Sequence, residues 1–98
     1  MTPFRELDPL LHSQLRLAIM AVLISVDSAV FIYLREKTGA TAGNLSVQIG
    51  RLKDAGYISV SKSFGESYPN TMCRITELGR RQFREYVAAL NDYLRPEA

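Results

Sequence analysis

Between residues 28 and 76 the chain is punctuated in a way that few folds accommodate. Ser28–Lys37 has the make-up of a short helix, Thr38-Gly39-Ala40 reads as a turn, and Ala42–Ala55 is a second helix stopped by Gly56. Gly39 suits the left-handed position just past a helix end. Two short strand-like runs follow, Tyr57–Ser63 and Thr71–Ile75, around the tip Phe64-Gly65-Glu66-Ser67-Tyr68-Pro69-Asn70. A tip of that length fits a projecting loop better than a structural hairpin turn.

The flanks read as helices. Asp8-Pro9 offers a carboxylate N-cap and then a proline at the first helical position, where its missing N–H is harmless. Leu11, Leu15, Ala18, Ile19, Val22 and Leu23 recur at helical spacing, so the first helix is expected to run from there to about Ile24. Ser25-Val26-Asp27 is a break with room for a minimal edge strand. Asp27 or Ser28 then caps the next helix, whose Ala29, Phe31 and Leu34 turn toward the core. Thr41 is the expected N-cap of the helix after the glycine turn, and Leu45, Ile49 and Leu52 form its buried stripe. Thr76 caps a final helix in which Leu78, Phe83, Tyr86, Val87, Leu90 and Leu94 repeat nearly to the end of the chain.

Two helices joined by a glycine turn and followed by a hairpin make up a winged helix-turn-helix. The expected fold is mainly α with a small β-hairpin wing, in the order helix, helix, helix, strand, strand, helix. Ninety-eight residues leave room for a single domain, 1–98. A chain this short buries only about 60–65% of its unfolded surface, so modest stability, or support from a partner subunit, is expected. The longest apolar stretch, Leu17–Ile24, is far short of the ~20 residues of a membrane span, and no membrane partner is expected. The N-terminus has no basic segment before an apolar one, so no signal peptide is read. With a single cysteine, Cys73, no intrachain disulfide can form, and the expected compartment is the reducing cytoplasm.

Charge placement is more telling than the net +2. Residues 35–74 hold six basic side chains against three acidic ones, residues 1–34 hold two against three, and residues 75–98 hold four of each. The surplus sits on the helix-turn-helix and hairpin, where a phosphate backbone would select for it. The face of the second motif helix opposite its apolar stripe carries Gly43, Val47, Gly50, Arg51 and Asp54, flanked by Asn44, Ser46 and Gln48. An ordinary solvated helix more often carries Glu and Lys there. Small and hydrogen-bonding side chains suit a face that approaches something closely. Mid-helix Gly50 costs about 1 kcal/mol relative to Ala, which close approach would justify and simple tolerance would also allow.

Catalytic constellations are missing from the reading. The only histidine, His12, has no nucleophile or carboxylate partner to name and reads as a surface or dimer-contact residue. The glycines form no phosphate loop. Cys73, beside Met72 in a strand, reads as a small half-buried core residue. No enzyme activity, cofactor or metal is expected. Arg80, Arg81 and Arg84 fit a solvated helix face and a phosphate contact equally well.

The stretches 31–39 (FIYLREKTG), 41–49 (TAGNLSVQI) and 51–58 (RLKDAGYI), with Thr76-Glu77-Leu78-Gly79-Arg80 opening the last helix, resemble the short single-domain MarR/ArsR-type winged-helix transcription regulators. The resemblance covers roughly residues 15–90. It implies that the second helix of the motif reads a DNA major groove, that the wing touches backbone or minor groove, and that terminal helices form a homodimer.

The expected function is therefore that of a sequence-specific regulator of transcription acting on double-stranded DNA as a homodimer, with repression as the expected sign. Helix 41–55 would lie in the major groove and the wing, 57–75, on the backbone. Asn44, Ser46, Val47, Gln48 and Arg51 would meet base edges or nearby phosphates, with Gly43 allowing close approach. Thr41 and the helix N-terminus would hold a phosphate through backbone N–H groups, and Lys62 and Arg74 would grip the backbone beside the wing. The dimer face is expected to use Leu7, Leu10 and Leu11 at the N-terminal end and Val87, Leu90, Tyr93 and Leu94 on the last helix. A small-molecule effector is compatible with this class, although no residue set identifies one. The rival reading is a winged helix that binds another protein, since a fold alone does not prove DNA binding.

Overall fold

A computed structural model describes residues 4–64 and 69–96. In chain order these form α1 (Gln14–Val26), β1 (Ser28–Val30), α2 (Phe31–Thr38), α3 (Ala42–Asp54), β2 (Ile58–Phe64), β3 (Pro69–Ile75) and α4 (Glu77–Leu94). The three strands make one antiparallel sheet in the order β1-β3-β2. The sheet and helices enclose a core that includes Ile19, Met20 and Leu23 of α1, Leu34 of α2, Leu45, Ile49 and Leu52 of α3, and Ile58, Cys73 and Ile75 of the sheet. This is the expected mainly helical winged helix, and no described helix is long and apolar enough to cross a membrane.

The local signals hold where the interaction that makes them is local. Gly39 ends α2 at φ 71°, ψ 12°, the left-handed conformation that a Cβ disfavours, and its N–H closes on the Arg35 carbonyl. Thr41 caps α3 by accepting the Asn44 N–H at 3.2 Å, and Thr76 caps α4 by accepting the Gly79 N–H at 3.0 Å. Gly79 is also where α4 lies directly on the sheet. A Cβ there would collide with the Tyr57 carbonyl oxygen and come within 3.1 Å of Ile75 Cγ1.

Three expectations are corrected. The first helix does not start at Asp8. The Asp8 carboxylate accepts the Leu10 N–H at 2.9 Å and its carbonyl accepts those of Leu11 and His12, which closes one isolated turn. Asp8 is held there by Tyr57, whose hydroxyl donates to the other carboxylate oxygen at 2.5 Å, and the helix proper begins after Ser13. The strand foreseen at residues 25–27 lies at Ser28–Val30, where a helix cap was expected. Pairing of Ser28, Ala29 and Val30 with Arg74, Cys73 and Met72 overrides the capping tendency, so α2 starts at Phe31 with Val30 as its uncapped N-cap. Leu11, expected on a dimer face, is fully buried inside its own chain and has no surface to offer.

The hairpin strands are longer than expected, pairing out to Phe64 and Pro69, and residues 65–68 of the expected tip lie outside the described residues. Alternation sorts the sheet into two faces. Ile58, Val60, Cys73 and Ile75 face the core, and Lys62 and Thr71, paired in register, extend that same face outward along α3. Arg74 and Met72 belong to the opposite, exposed face.

At the junction of α1 and β1, Asp27 takes φ 73°, ψ −45°, unusual for a residue with a Cβ. Its N–H bonds to Leu23, its carbonyl accepts the Ile75 N–H at 3.0 Å, and its carboxylate pairs with Arg74 at 2.8 Å and with Arg80. One side chain thereby ties the end of α1 to both β3 and α4.

Candidate nucleic-acid interface

With Leu45, Ile49 and Leu52 turned inward, the 100° step of the helix decides what α3 presents outward. Thr41, Gly43, Asn44, Ser46, Val47 and Arg51 are exposed, and Gln48 is half-buried. Val47 keeps 53% of its surface in water, a large exposure for a branched apolar side chain at the middle of a helix.

The tertiary structure divides these residues into three strips. Gly43 and Val47 lie on the outward ridge, with Arg51 beside them. Asn44 and Gln48 fall on the side of α1, where they line a cleft of about 400 Å³ with Ser13, Leu15, Thr38 and Ala40. Ser46, Gly50 and Lys53 fall on the side of the wing, where with Val60, Lys62 and Thr71 they line a second cleft of about 390 Å³. The structure thus brings Lys62 to α3 from across the sheet. It does not bring Arg74 there: that guanidinium lies on the far face and is engaged by Asp27.

One participant left no trace in the sequence pattern. Arg16, on α1, donates from Nη1 to Gln48 Oε1 at 2.5 Å and from Nε to the Leu10 carbonyl at 2.6 Å. Gln48 Nε2 in turn donates to Asn44 Oδ1 at 3.0 Å. A hydrogen-bonded chain therefore runs from the N-terminal segment to the exposed face of α3. Arg16 stands 32 residues from Gln48 in the chain, and no local spacing could have linked them.

Phe4 and Arg5 pack against the last turns of α4. Phe4 packs on Tyr93 with ring centroids 5.0 Å apart, Arg5 pairs with Asp92 at 2.9 Å, and the Tyr93 hydroxyl donates to the Arg5 carbonyl. Leu7, Leu10 and Leu90 are half-buried against the core, while Val87, Tyr93 and Leu94 remain exposed, Leu94 by 69%. His12, which had no evident partner, places Nδ1 2.9 Å from the hydroxyl of buried Tyr86. Cys73 is fully buried, and loss of solvent pushes its thiol up to about 11, away from the reactive thiolate. Burial, reinforced by the Asp8 carboxylate, likewise raises the Tyr57 hydroxyl above its ordinary value.

Known proteins share this arrangement. The winged helix DNA-binding domain family matches residues 15–94, and the chain belongs to that family. An uncharacterized protein of Methanocaldococcus jannaschii is 33% identical over 76 residues, covering 78% of this chain and 83% of that protein. Among solved structures, a transcriptional regulator homologue from Pyrococcus horikoshii OT3 superposes with a TM-score of 0.83 at 25% identity, over 89% of this chain and 86% of that one. Fold, family and structural likeness agree on a DNA-binding regulator.

Proposed function

We propose that the protein is a sequence-specific, homodimeric transcription repressor that lays α3 in the major groove of duplex DNA and sets the wing on the adjacent backbone. The observation that carries this reading is the outward face of α3. It is capped at Thr41, stripped of bulk at Gly43, and presents Asn44, Val47 and Arg51 to solvent. Val47 and Arg51 suit the thymine methyl and guanine, and Asn44, whose Oδ1 accepts from Gln48, keeps its own N–H groups for a base edge or phosphate. Ser46 is placed to reach a base edge or phosphate on the wing side, and the free N–H groups after Thr41 suit a phosphate. Lys62 would grip backbone, whereas Arg74 is assigned to holding the sheet against Asp27. Gln48, tied to Arg16, supports α3 from behind.

A dimer would come from α4. Val87, Tyr93 and Leu94 leave an apolar strip in water beside Phe4, a surface that a small monomer tends to cover. A two-fold pairing there would hold two α3 helices about one DNA turn, ~34 Å, apart. Repression is the proposed sign because a protein seated on a promoter excludes polymerase by volume alone, with no further contact.

Selection of random duplexes by the purified protein tests the reading, with a palindromic site expected and a steep loss of affinity with salt. Failure to bind any duplex at low salt would favour a protein-binding role instead. Light scattering should give a dimer at tens of micromolar and a monomer for Leu94→Asp. A monomeric wild type would remove both the dimer and the palindrome.

A further inference from the structure

We infer that Arg16 is a positioning residue that sets the hydrogen-bond polarity of the α3 face. Through Gln48 it turns the Asn44 amide so that the N–H end faces the groove, and α3 selects a keto-bearing base, guanine or thymine, at that position. The inference rests on the reading that α3 enters the major groove, and adds to it which base edge one side chain takes.

The polarity follows from counting donors along a chain whose first member has no choice. A guanidinium carries donors and no acceptor, so the end of Gln48 that meets Arg16 Nη1 at 2.5 Å is its oxygen, Oε1. The other end of the same amide is then the donor Nε2, which meets the Asn44 side chain at 3.0 Å. Asn44 must answer with its acceptor, Oδ1. The end of the exposed Asn44 amide turned away from Gln48 is therefore Nδ2, with N–H groups to give. A carboxylate in place of Arg16 would reverse both amides and leave a carbonyl oxygen at the exposed end.

Arg16 is itself held in place. Its Nε donates to the Leu10 carbonyl at 2.6 Å, the Leu10 N–H donates to the Asp8 carboxylate at 2.9 Å, and the Tyr57 hydroxyl donates to the same carboxylate at 2.5 Å. Burial decreases along the chain, from half-buried Arg16 and Gln48 to exposed Asn44, so the order is imposed from the inside outward. Thr41 fixes the Asn44 backbone by accepting its N–H at 3.2 Å. In the major groove, guanine and thymine show a keto oxygen at the place where adenine and cytosine show an amino group. An end that only donates bonds to the first pair and opposes the amino group of the second.

The test takes the duplex that wild type selects from a random pool, together with every single base-pair change in it. The pair that Asn44 faces is the one whose discrimination Asn44→Ala abolishes. There wild type should favour guanine or thymine over adenine and cytosine by about fivefold or more. Arg16→Met should shrink that preference to within about twofold, while the discrimination that Arg51→Ala removes stays. Gln48→Glu keeps the shape and still accepts from Arg16, but it cannot donate to Asn44, whose amide then turns its N–H groups inward and its oxygen out. The preference should invert toward adenine or cytosine, with the thermal midpoint within a few degrees of wild type. Adding Asn44→Ala to Gln48→Glu should erase the inversion. An inversion that survives comes from the introduced carboxylate reading cytosine directly, and overturns the inference. So does an amino-base preference in wild type, or one unchanged preference in wild type, Arg16→Met and Gln48→Glu. Where wild type binds duplex DNA and Arg51→Ala weakens it, those results remove the polarity alone. A wild type that binds no duplex removes it together with the DNA reading.

Discussion

Arg16 on α1 holds the side-chain amide of Gln48 on α3 by a 2.5 Å hydrogen bond from Nη1 to Oε1. Gln48 Oε1 accepts from Arg16 and one of its N–H groups donates to Asn44, so a bidentate contact with adenine would compete with both bonds. Arg51 is exposed and makes no ion pair among the described residues. We expect Arg51→Ala to weaken operator binding by about 1–3 kcal/mol with the thermal midpoint unchanged, and Gln48→Ala to weaken it by less than about 1 kcal/mol. Binding isotherms on one selected duplex, with melting curves beside them, make the comparison. The reverse order would mean that Gln48 leaves Arg16 on binding and reads a base.

Asp27 combines a positive φ with two arginine partners, and substitution separates the two effects. Its carboxylate is half-exposed, so each ion pair contributes no more than about 1 kcal/mol. Asp27→Gly loses the pairs but relaxes the backbone, whereas Asp27→Ala loses the pairs and keeps the strain. Urea denaturation should place the Ala variant below the Gly variant by about 1–3 kcal/mol. Equal stability would show that the chain escapes φ 73° once the arginines are released.

At Gly79 the fold leaves no space for a methyl group. Gly79→Ala would press Cβ onto the Tyr57 carbonyl oxygen, a backbone atom fixed by its hydrogen bond from the Thr76 N–H. Overpacking of this kind costs about 1–3 kcal/mol and occasionally more, so a large drop in thermal midpoint is expected even though Ala is the better helix former. An unchanged midpoint would mean that α4 can slide off the sheet.

Cys73 sets an alkaline limit. Its thiol titrates at about 11 in the folded chain against 9.0 unperturbed, because burial penalises the thiolate. The unfolded chain therefore gives up this proton first as pH rises. The contribution is fully present below pH 9 and is lost toward pH 11, a loss on the order of 2–3 kcal/mol. Denaturation curves across that window should show the loss in wild type and a smaller one in Cys73→Ala. A thiol reagent at pH 8 should label the native protein no faster than it unfolds. Rapid labelling would instead show a reactive, accessible thiol.

The chain dictates whatever depends on neighbours within a few residues. The caps at Thr41 and Thr76, the left-handed Gly39 and the Leu45–Ile49–Leu52 stripe each arise from one helical turn or its end, and all were legible without a structure. So were two strand-like runs on either side of a tip, although their pairing register was not. Where the first helix starts was not legible, because Asp8 answers both to its own turn and to Tyr57, 49 residues away. The place of β1 was decided by a ladder to β3, and the partner of Arg74 by an aspartate 47 residues earlier. The face of α3 shows the same division. Periodicity told which residues point away from the core, but only the packing of α1 on one side and the wing on the other decided that Gln48 is bound to Arg16 and that Ser46, Gly50 and Lys53 share a cleft with Lys62. Local hydrogen bonds and helical period act over one turn and can be read along the chain, whereas hydrogen-bond partners and cleft walls are set by elements that meet only after the core has closed.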